Sequence, residues 1–219
     1  MLLKKLDSKF LNYLVEKEIS PGDKLPPLSD ISNELGISVG KLREELEVAR
    51  HFGLVSVRPK VGSHRQPYNF TPPVLQSVLF GLATQEATFD QFSKLRRAVE
   101  TGCWLEAVVL LTDEDKQQLK EIVQQAWQKL YGDAVHVPNG EHQALHLAIF
   151  SRLENPFVQG ILAAYWEAYE ASELTRFAPL KYWIDVWTYH EKIVDALCEN
   201  EFEQARQLLI EHFALLRTG

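Results

Sequence analysis

The chain of 219 residues is poor in the features that mark several large classes of protein. It has two cysteines, Cys103 and Cys198, 95 positions apart with no CxxC partner. Neither a disulfide framework nor a thiolate zinc site can be built from them, and both read as structural thiols. No apolar run approaches the ~18 residues a membrane span needs; stretches such as Ala107 to Leu111 fall far short. The opening MLLKKLDSKFLNYLVEKE is charged and helically periodic, without an apolar h-region or a small-residue cleavage site, so a cytoplasmic protein is expected. Positive charge is not in excess either. Lys and Arg number 23 against 30 Asp and Glu, a net charge of −7, which argues against a surface that coats nucleic acid generally. HExxH, an inward Glu-x-x-His pair and a Ser/His/Asp or Cys/His constellation are also missing, so the competing reading of a metal-dependent enzyme has no motif behind it.

The charge that is present is unevenly spread. Residues 1–65 carry 11 Lys and Arg against 9 Asp and Glu, whereas residues 66–219 carry 12 against 21. The asymmetry suggests two domains with different partners, the first tolerant of a polyanion. Apolar spacing predicts helices over Leu3–Lys17, Leu28–Leu35 and Val39–Phe52, with Gly36 suited to a helix C-terminus and Ser38 to the next N-cap. LVSV, RPKVG and SHRQ then read as two short strands about a turn. Gln66 to Pro73, QPYNFTPP, has three prolines in eight residues and reads as a linker. Beyond it the pattern is helical throughout, over 74–84, 88–111, 113–131, 138–152, 155–177, 180–198 and 201–217. The expected fold is therefore mainly α: a winged helix-turn-helix domain over 1–65, a linker over 66–73, and an antiparallel all-helical bundle over 74–219.

In a winged helix-turn-helix the second helix of the motif enters the major groove of DNA. That helix is VGKLREELEVARHF, after the tight turn LGIS. PGDKLP, DISNELGIS, LREELE, HFGLV and a wing containing Gly62 resemble the GntR family of bacterial transcriptional regulators over most of residues 5–65. The resemblance implies DNA contacts from Lys41, Arg43, Arg50, Arg58, Lys60 and His64. It departs from the family where a polar, arginine-containing segment usually follows the LP and is here Pro27-Leu28-Ser29, and where Val39 replaces an arginine after the turn serine. A lost bidentate arginine–guanine pair removes ~1–3 kcal/mol of discrimination.

Histidines supply the second candidate site. HQALHLAIF places His142 and His146 one turn apart on one helical face. His190 lies 10 residues before Asn200 and His212 lies 12 after it. In an antiparallel hairpin turning at Asn200, both sit ~15 Å from the bend, side by side. Two helix pairs can thus aim four imidazoles at one point, a set suited to zinc, nickel or copper. HQALHLAIFSRLENPF and HEKIVDALCENEFEQARQLLIEH resemble the metal-binding FCD domain of the FadR-like branch of the same family. The resemblance implies a divalent transition metal, zinc or nickel foremost, held by His142, His146, His190 and His212. His142 stands where the family usually has aspartate. Glu141, adjacent, points ~100° away on a helix and is at best a neighbour of the ligands. LRRAVE resembles the segment that gives an arginine to a small carboxylate effector, here Arg96. Of the aromatics Trp104, Tyr165, Trp183, Trp187 and Tyr189, most read as core and one or two as pocket lining.

The function expected is that of a homodimeric regulator on a pseudo-palindromic double-stranded operator, since one recognition helix reads a half-site. A carboxylate in the helical domain would modulate its DNA binding, with no membrane involved. Two alternatives stay open: four histidines closing a purely structural tetrahedral site without an effector, and catalysis.

Overall fold

The computed structural model describes residues 6–172 and 178–215, so the expected helical residues 3–5, 173–177 and 216–217 lie outside the described residues. The chain divides into two compact units, residues 1–76 and 77–219.

In the first unit α1 spans Lys9–Glu16, α2 Leu28–Leu35 and α3 Val39–His51. The first helix starts later than its apolar spacing suggests because Ser8 caps it: the Leu11 N–H donates to Ser8 Oγ at 3.1 Å. Glu45 of α3 fixes that start, accepting from Ser8 Oγ and from the Phe10 N–H, each at 2.8 Å. Gly36 adopts the left-handed conformation after α2, and Ser38 caps α3 by accepting from the Lys41 N–H. Strands β1 (Val55–Arg58) and β2 (Gly62–Arg65) pair antiparallel, with Val55 opposite Arg65 and Arg58 opposite Gly62. The segment at PGDKLP is more than a break, because it lies along β2. The Leu25 N–H donates to the Ser63 carbonyl at 2.8 Å, and the Arg65 N–H donates to that of Asp23 at 2.9 Å. Phe10, Leu14, Leu25, Ile31, Leu42, Leu46, Ala49 and Val55 form the core of this unit.

Helix α4, Thr71–Ala83, crosses the division between the units and begins inside the stretch whose prolines suggest a linker. Asn69 Oδ1 accepts from the Thr71 N–H at 2.9 Å. Pro72 and Pro73 follow at the first positions of the helix, where the missing N–H costs nothing.

The second unit contains α5 (Phe89–Gly102), α6 (Trp104–Val108), α7 (Asp113–Tyr131), α8 (Asn139–Ile149), α9 (Pro156–Ala171), α10 (Leu180–Cys198) and α11 (Phe202–Leu215). No strand occurs in it among the described residues. The single helix expected over 88–111 is broken at Cys103: the Trp104 indole donates to the Phe202 carbonyl at 2.8 Å, and Arg206 Nε donates to the freed Thr101 carbonyl. Helices α10 and α11 form the antiparallel hairpin, closed by Asn200 at φ 60°. The hairpin packs on α7, α8 touches both α7 and α9, and α5 touches α9 and α11. Trp104, Leu119, Leu145, Ile149, Trp183, Val194 and Leu209 are among the core residues.

Helix α7 carries a complete capping box, in which Thr112 and Asp115 exchange side-chain and backbone bonds. Arg152 grips the Asp115 carboxylate through two bonds of 2.8 and 3.0 Å. These bonds, Arg152 first and then the Thr112 N–H, hold the Asp115 carboxyl down at about 2. Replacing Thr112→Ala is expected to lower stability by ~1 kcal/mol. A thermal melt should register that as a drop of roughly 2–4 °C; an unchanged melt would show the box to be dispensable.

Candidate metal centre and nucleic-acid surface

His142 and His146 project from one face of α8, His190 from α10 and His212 from α11. The His190 and His212 rings face each other across the hairpin at 4.4 Å between centroids, and His142 lies 4.8 Å from His190. One ligand atom from each of the four lies within 4.8 Å of the others. All four side chains are at most 1% exposed.

Burial is the main reason each ring is pushed well below the ordinary histidine range. The Arg96 charge adds to it at all four, and neighbouring imidazoles add to it at His142, His190 and His212, which favours the neutral form that ligates a metal. Their hydrogen bonding is incomplete. His146 Nε2 lies 3.2 Å from His190 Nε2, but both nitrogens of His142, both of His212 and Nδ1 of His190 have no partner. Unpaired buried donors and acceptors cost ~1–3 kcal/mol each, so so many in one place call for a ligand. The 3.2 Å separation matches the ~3.3 Å between two nitrogens bonded at ~2.0–2.1 Å to one zinc ion at a tetrahedral angle. With all four ligand atoms within 4.8 Å of one another, the residues could hold such an ion.

Arg96, on α5, reaches the same cluster, at 1% exposure. Its Nη2 lies 2.9 Å from His146 Nδ1 and 3.1 Å from Nε2, and its Nε donates to Glu100 Oε1 at 2.9 Å. The guanidinium also stacks on Tyr165 and Trp166, each ring centroid 4.8 Å away. Burial opposes the Arg96 charge, but the Glu100 carboxylate and Tyr165 outweigh it and hold the group above its ordinary value. Burial pushes Glu100 up, with Arg96 partly offsetting it.

The surroundings are rich in hydrogen-bond donors. The indole N–H groups of Trp166, Trp183 and Trp187 and the Tyr182 hydroxyl are buried without partners. Trp166 is 4.6 Å, Trp183 6.1 Å and Trp187 6.3 Å from His142, ring to ring.

Two of these residues escape a reading of the sequence. Glu100 looks like the far end of an ordinary i, i+4 pair on a helix surface, and its only signal is LRRAVE itself. Trp166 is one apolar residue in an apolar helix. Conversely, Trp104 packs against Phe150 and serves the α5–α6 break, while Glu141 pairs with Lys129 at 2.7 Å, outside the cluster. Two open grooves along α7, lined by residues such as Trp127, Tyr131 and Lys129, share no residue with the cluster.

In the first unit, Lys41, Arg43 and Arg50 lie on the exposed face of α3. Lys41 is paired with Glu44 and Arg50 with Glu47, whereas Arg43 has no partner among the described residues. Arg58 and Lys60 are exposed at the hairpin tip, and His64 is half-buried on β2. Lys60 takes a left-handed φ of 64° there, and Gly62 has φ 108°. A Cβ added at Gly62 would sit 3.0 Å from Lys24 Cε, so Lys24 joins the basic residues of the wing. Sequence reasoning passed it over because it lies in a segment read as a break.

Comparison with known proteins places both units. The FCD domain family matches residues 91–215, more than half of the chain. An uncharacterized HTH-type transcriptional regulator of Bacillus subtilis, YcbG, is 23% identical over 219 residues, covering 99% of this chain and 88% of that protein. A second, YieP of Escherichia coli, is 23% identical over 91% of this chain and 87% of its own length. Among solved structures, Streptococcus agalactiae GntR superposes with a TM-score of 0.69 at 18% identity, covering 98% of each chain. The chain belongs to the GntR family of transcriptional regulators and carries a C-terminal FCD domain.

Proposed function

We propose that this regulator senses a small carboxylate at a metal ion held by His142, His146, His190 and His212, and passes the signal to a DNA-binding winged domain. The observation that carries the reading is the cluster itself: four buried, neutral imidazoles whose nitrogens are largely unpartnered. The imidazole set favours zinc or nickel over magnesium. When bound, the ion supplies positive charge and tethers α8, α10 and α11. Arg96 supplies the fixed cation for the carboxylate, and the unpartnered indole N–H groups supply donors for its oxygens.

On the DNA side, Arg43 reads bases while Lys41, Arg50, Arg58, Lys60 and His64 contact the duplex around it. Lys24 adds to the wing. The protein acts as a homodimer, because one α3 spans only a half-site. Helix α4 supports this: Phe80 is 66% exposed in the single chain, and Val74, Leu75, Val78 and Leu79 are only half-buried.

The test starts with elemental analysis of untagged protein, where about one ion per chain is expected and none in His146→Ala. Titration with small carboxylates should then change affinity for a duplex selected by the wild type from a random pool. Arg43→Ala should weaken that duplex by ~1–3 kcal/mol and relax its sequence preference. Lys60→Ala should weaken all duplexes alike and lower the salt slope by ~1. If Arg43→Ala behaves like Lys60→Ala, Arg43 is a phosphate contact.

A second reading has its own support. Arg96 is already engaged by Glu100 and His146, and four protein ligands suffice for a closed structural zinc site. X-ray absorption on the loaded protein separates the two. Coordination completed by oxygen ligands supports sensing, and four nitrogens alone support a structural ion.

A further inference from the structure

His146 is the one histidine of the cluster whose two nitrogens are both contested. Arg96 Nη2 stands 2.9 Å from Nδ1 and 3.1 Å from Nε2, Glu100 Oε1 stands 3.3 Å from Nδ1, and His190 Nε2 stands 3.2 Å from Nε2. A neutral imidazole has one N–H and one lone pair, and Arg96 is a permanent donor. The two ring nitrogens point away from each other, so a single atom this close to both lies over the face of the imidazole and on the axis of neither lone pair. The Nδ1 edge faces Glu100 Oε1 at 3.3 Å.

An ion shared with His190 needs the lone pair on Nε2, the atom that faces His190. The ring proton must then sit on Nδ1, where Glu100 Oε1 is the acceptor in reach. We propose that Glu100 is the positioning residue of the metal centre, accepting the His146 Nδ1–H so that Nε2 faces the ion, and that the Arg96 charge over the same ring opposes the ion. The proposal rests on the four-histidine reading and deepens it. Metal-bound histidines generally donate their second N–H to a carboxylate or carbonyl, which fixes the tautomer. The four ligand side chains include no carboxylate, and Glu100 brings a buried one beside them from another helix. Glu100 Oε2 has no partner of its own, so the carboxylate can shift toward His146 without losing another bond.

The residue pair makes opposite demands on the ion, which gives a test. Zinc affinity is measured by competition with a chromogenic chelator, without any carboxylate present, in wild type, Glu100→Gln and Arg96→Gln. Glu100→Gln should bind zinc ten- to a hundredfold more weakly. Arg96→Gln, which removes a repelling charge from the face of the His146 ring, should bind it more tightly. A purely structural pair would weaken binding in both. Should Glu100→Gln fold poorly with its arginine unpaired, the double variant Arg96→Gln/Glu100→Gln replaces it and should bind more weakly than Arg96→Gln alone. Side-chain nitrogen NMR of the zinc-loaded wild type should find the His146 proton on Nδ1. Affinities that fall together, or do not move, overturn the proposal, as does a His146 proton on Nε2 in the loaded protein. A wild type that takes up no ion overturns the four-histidine reading, and this proposal with it.

Discussion

Stripping zinc from the loaded wild type is expected to lower its melting temperature by on the order of 10 °C, and His212→Leu is expected to change sign between the two states. An ion that binds only the native protein stabilises it by ~4 kcal/mol at a thousandfold excess over its dissociation constant. At roughly 2–4 °C per kcal/mol for a chain of this size, that is a shift of about 10 °C. His212 makes the sharper experiment. Both of its ring nitrogens are buried without a partner, and the ring is neutral. With no ion, such groups cost ~1–3 kcal/mol, and an apolar side chain of similar size removes that cost. His212→Leu should therefore melt a few degrees above wild type in EDTA. With zinc in excess it should melt well below, because a ligand has gone. A histidine that merely packs against Phe213 and His190 would shift both melts in the same direction. Calorimetry in EDTA and in zinc decides between them.

Much of the helical unit could be read from spacing because its informative residues sit on regular elements. Helices α7 and α10 fall at the residues that periodicity gives them. The meeting of His190 and His212 follows from counting residues either side of Asn200, since an antiparallel hairpin turns equal counts into equal heights. The break at Cys103 was harder. Gly102 was the available signal, but an isolated glycine is tolerated in a helix. What ends α5 is a pair of bonds from residues about a hundred positions away, Trp104 to Phe202 and Arg206 to Thr101. The pairing of Asp23–Leu25 along β2 is illegible for the same reason, because backbone bonds between distant segments leave no side-chain pattern.

The candidate site divides along the same line. Four imidazoles could be found because histidine is scarce and its spacing is geometric. Glu100 could not, because its importance comes from lying 3.3 Å from a ring 46 positions away rather than from its own surroundings in the chain. On a solvated helix the pair Arg96–Glu100 would contribute only a few tenths of a kcal/mol. Buried, the same two residues cannot lose one partner without leaving a charge uncompensated. Burial changes what the pair means, and burial at that position is set by α9 and α11 packing over α5.

Acid should test the cluster as a whole. In the ion-free protein, stability is expected to fall steeply as the pH drops below about 6.5, the ordinary histidine value. The four rings are held well below it, first by burial and then by one another and Arg96. Other titratable groups near them are Glu100, which opposes the shift at His212, and the tyrosines Tyr165, Tyr169 and Tyr182, of which Tyr182 is raised further by burial. The sign is fixed by which state binds more protons. Below about 6.5 the unfolded chain protonates its histidines and the native chain does not, so the stability present above that value is lost as the pH falls. The slope reaches about 1.4 kcal/mol per pH unit for each histidine, or roughly 5 kcal/mol for four. Asp115 cannot imitate this, because its carboxyl titrates natively at about 2 and its contribution disappears only below the ordinary aspartate value. Thermal melts in EDTA from pH 8 to 5.5 read the slope directly. His212→Leu should remove about a quarter of it, and His142→Leu/His212→Leu about half. A slope that ignores both replacements would place the titrating groups outside the cluster. A slope that falls in step with the number of histidines removed identifies them as the groups the fold keeps neutral, which is the state a metal ion requires of its ligands.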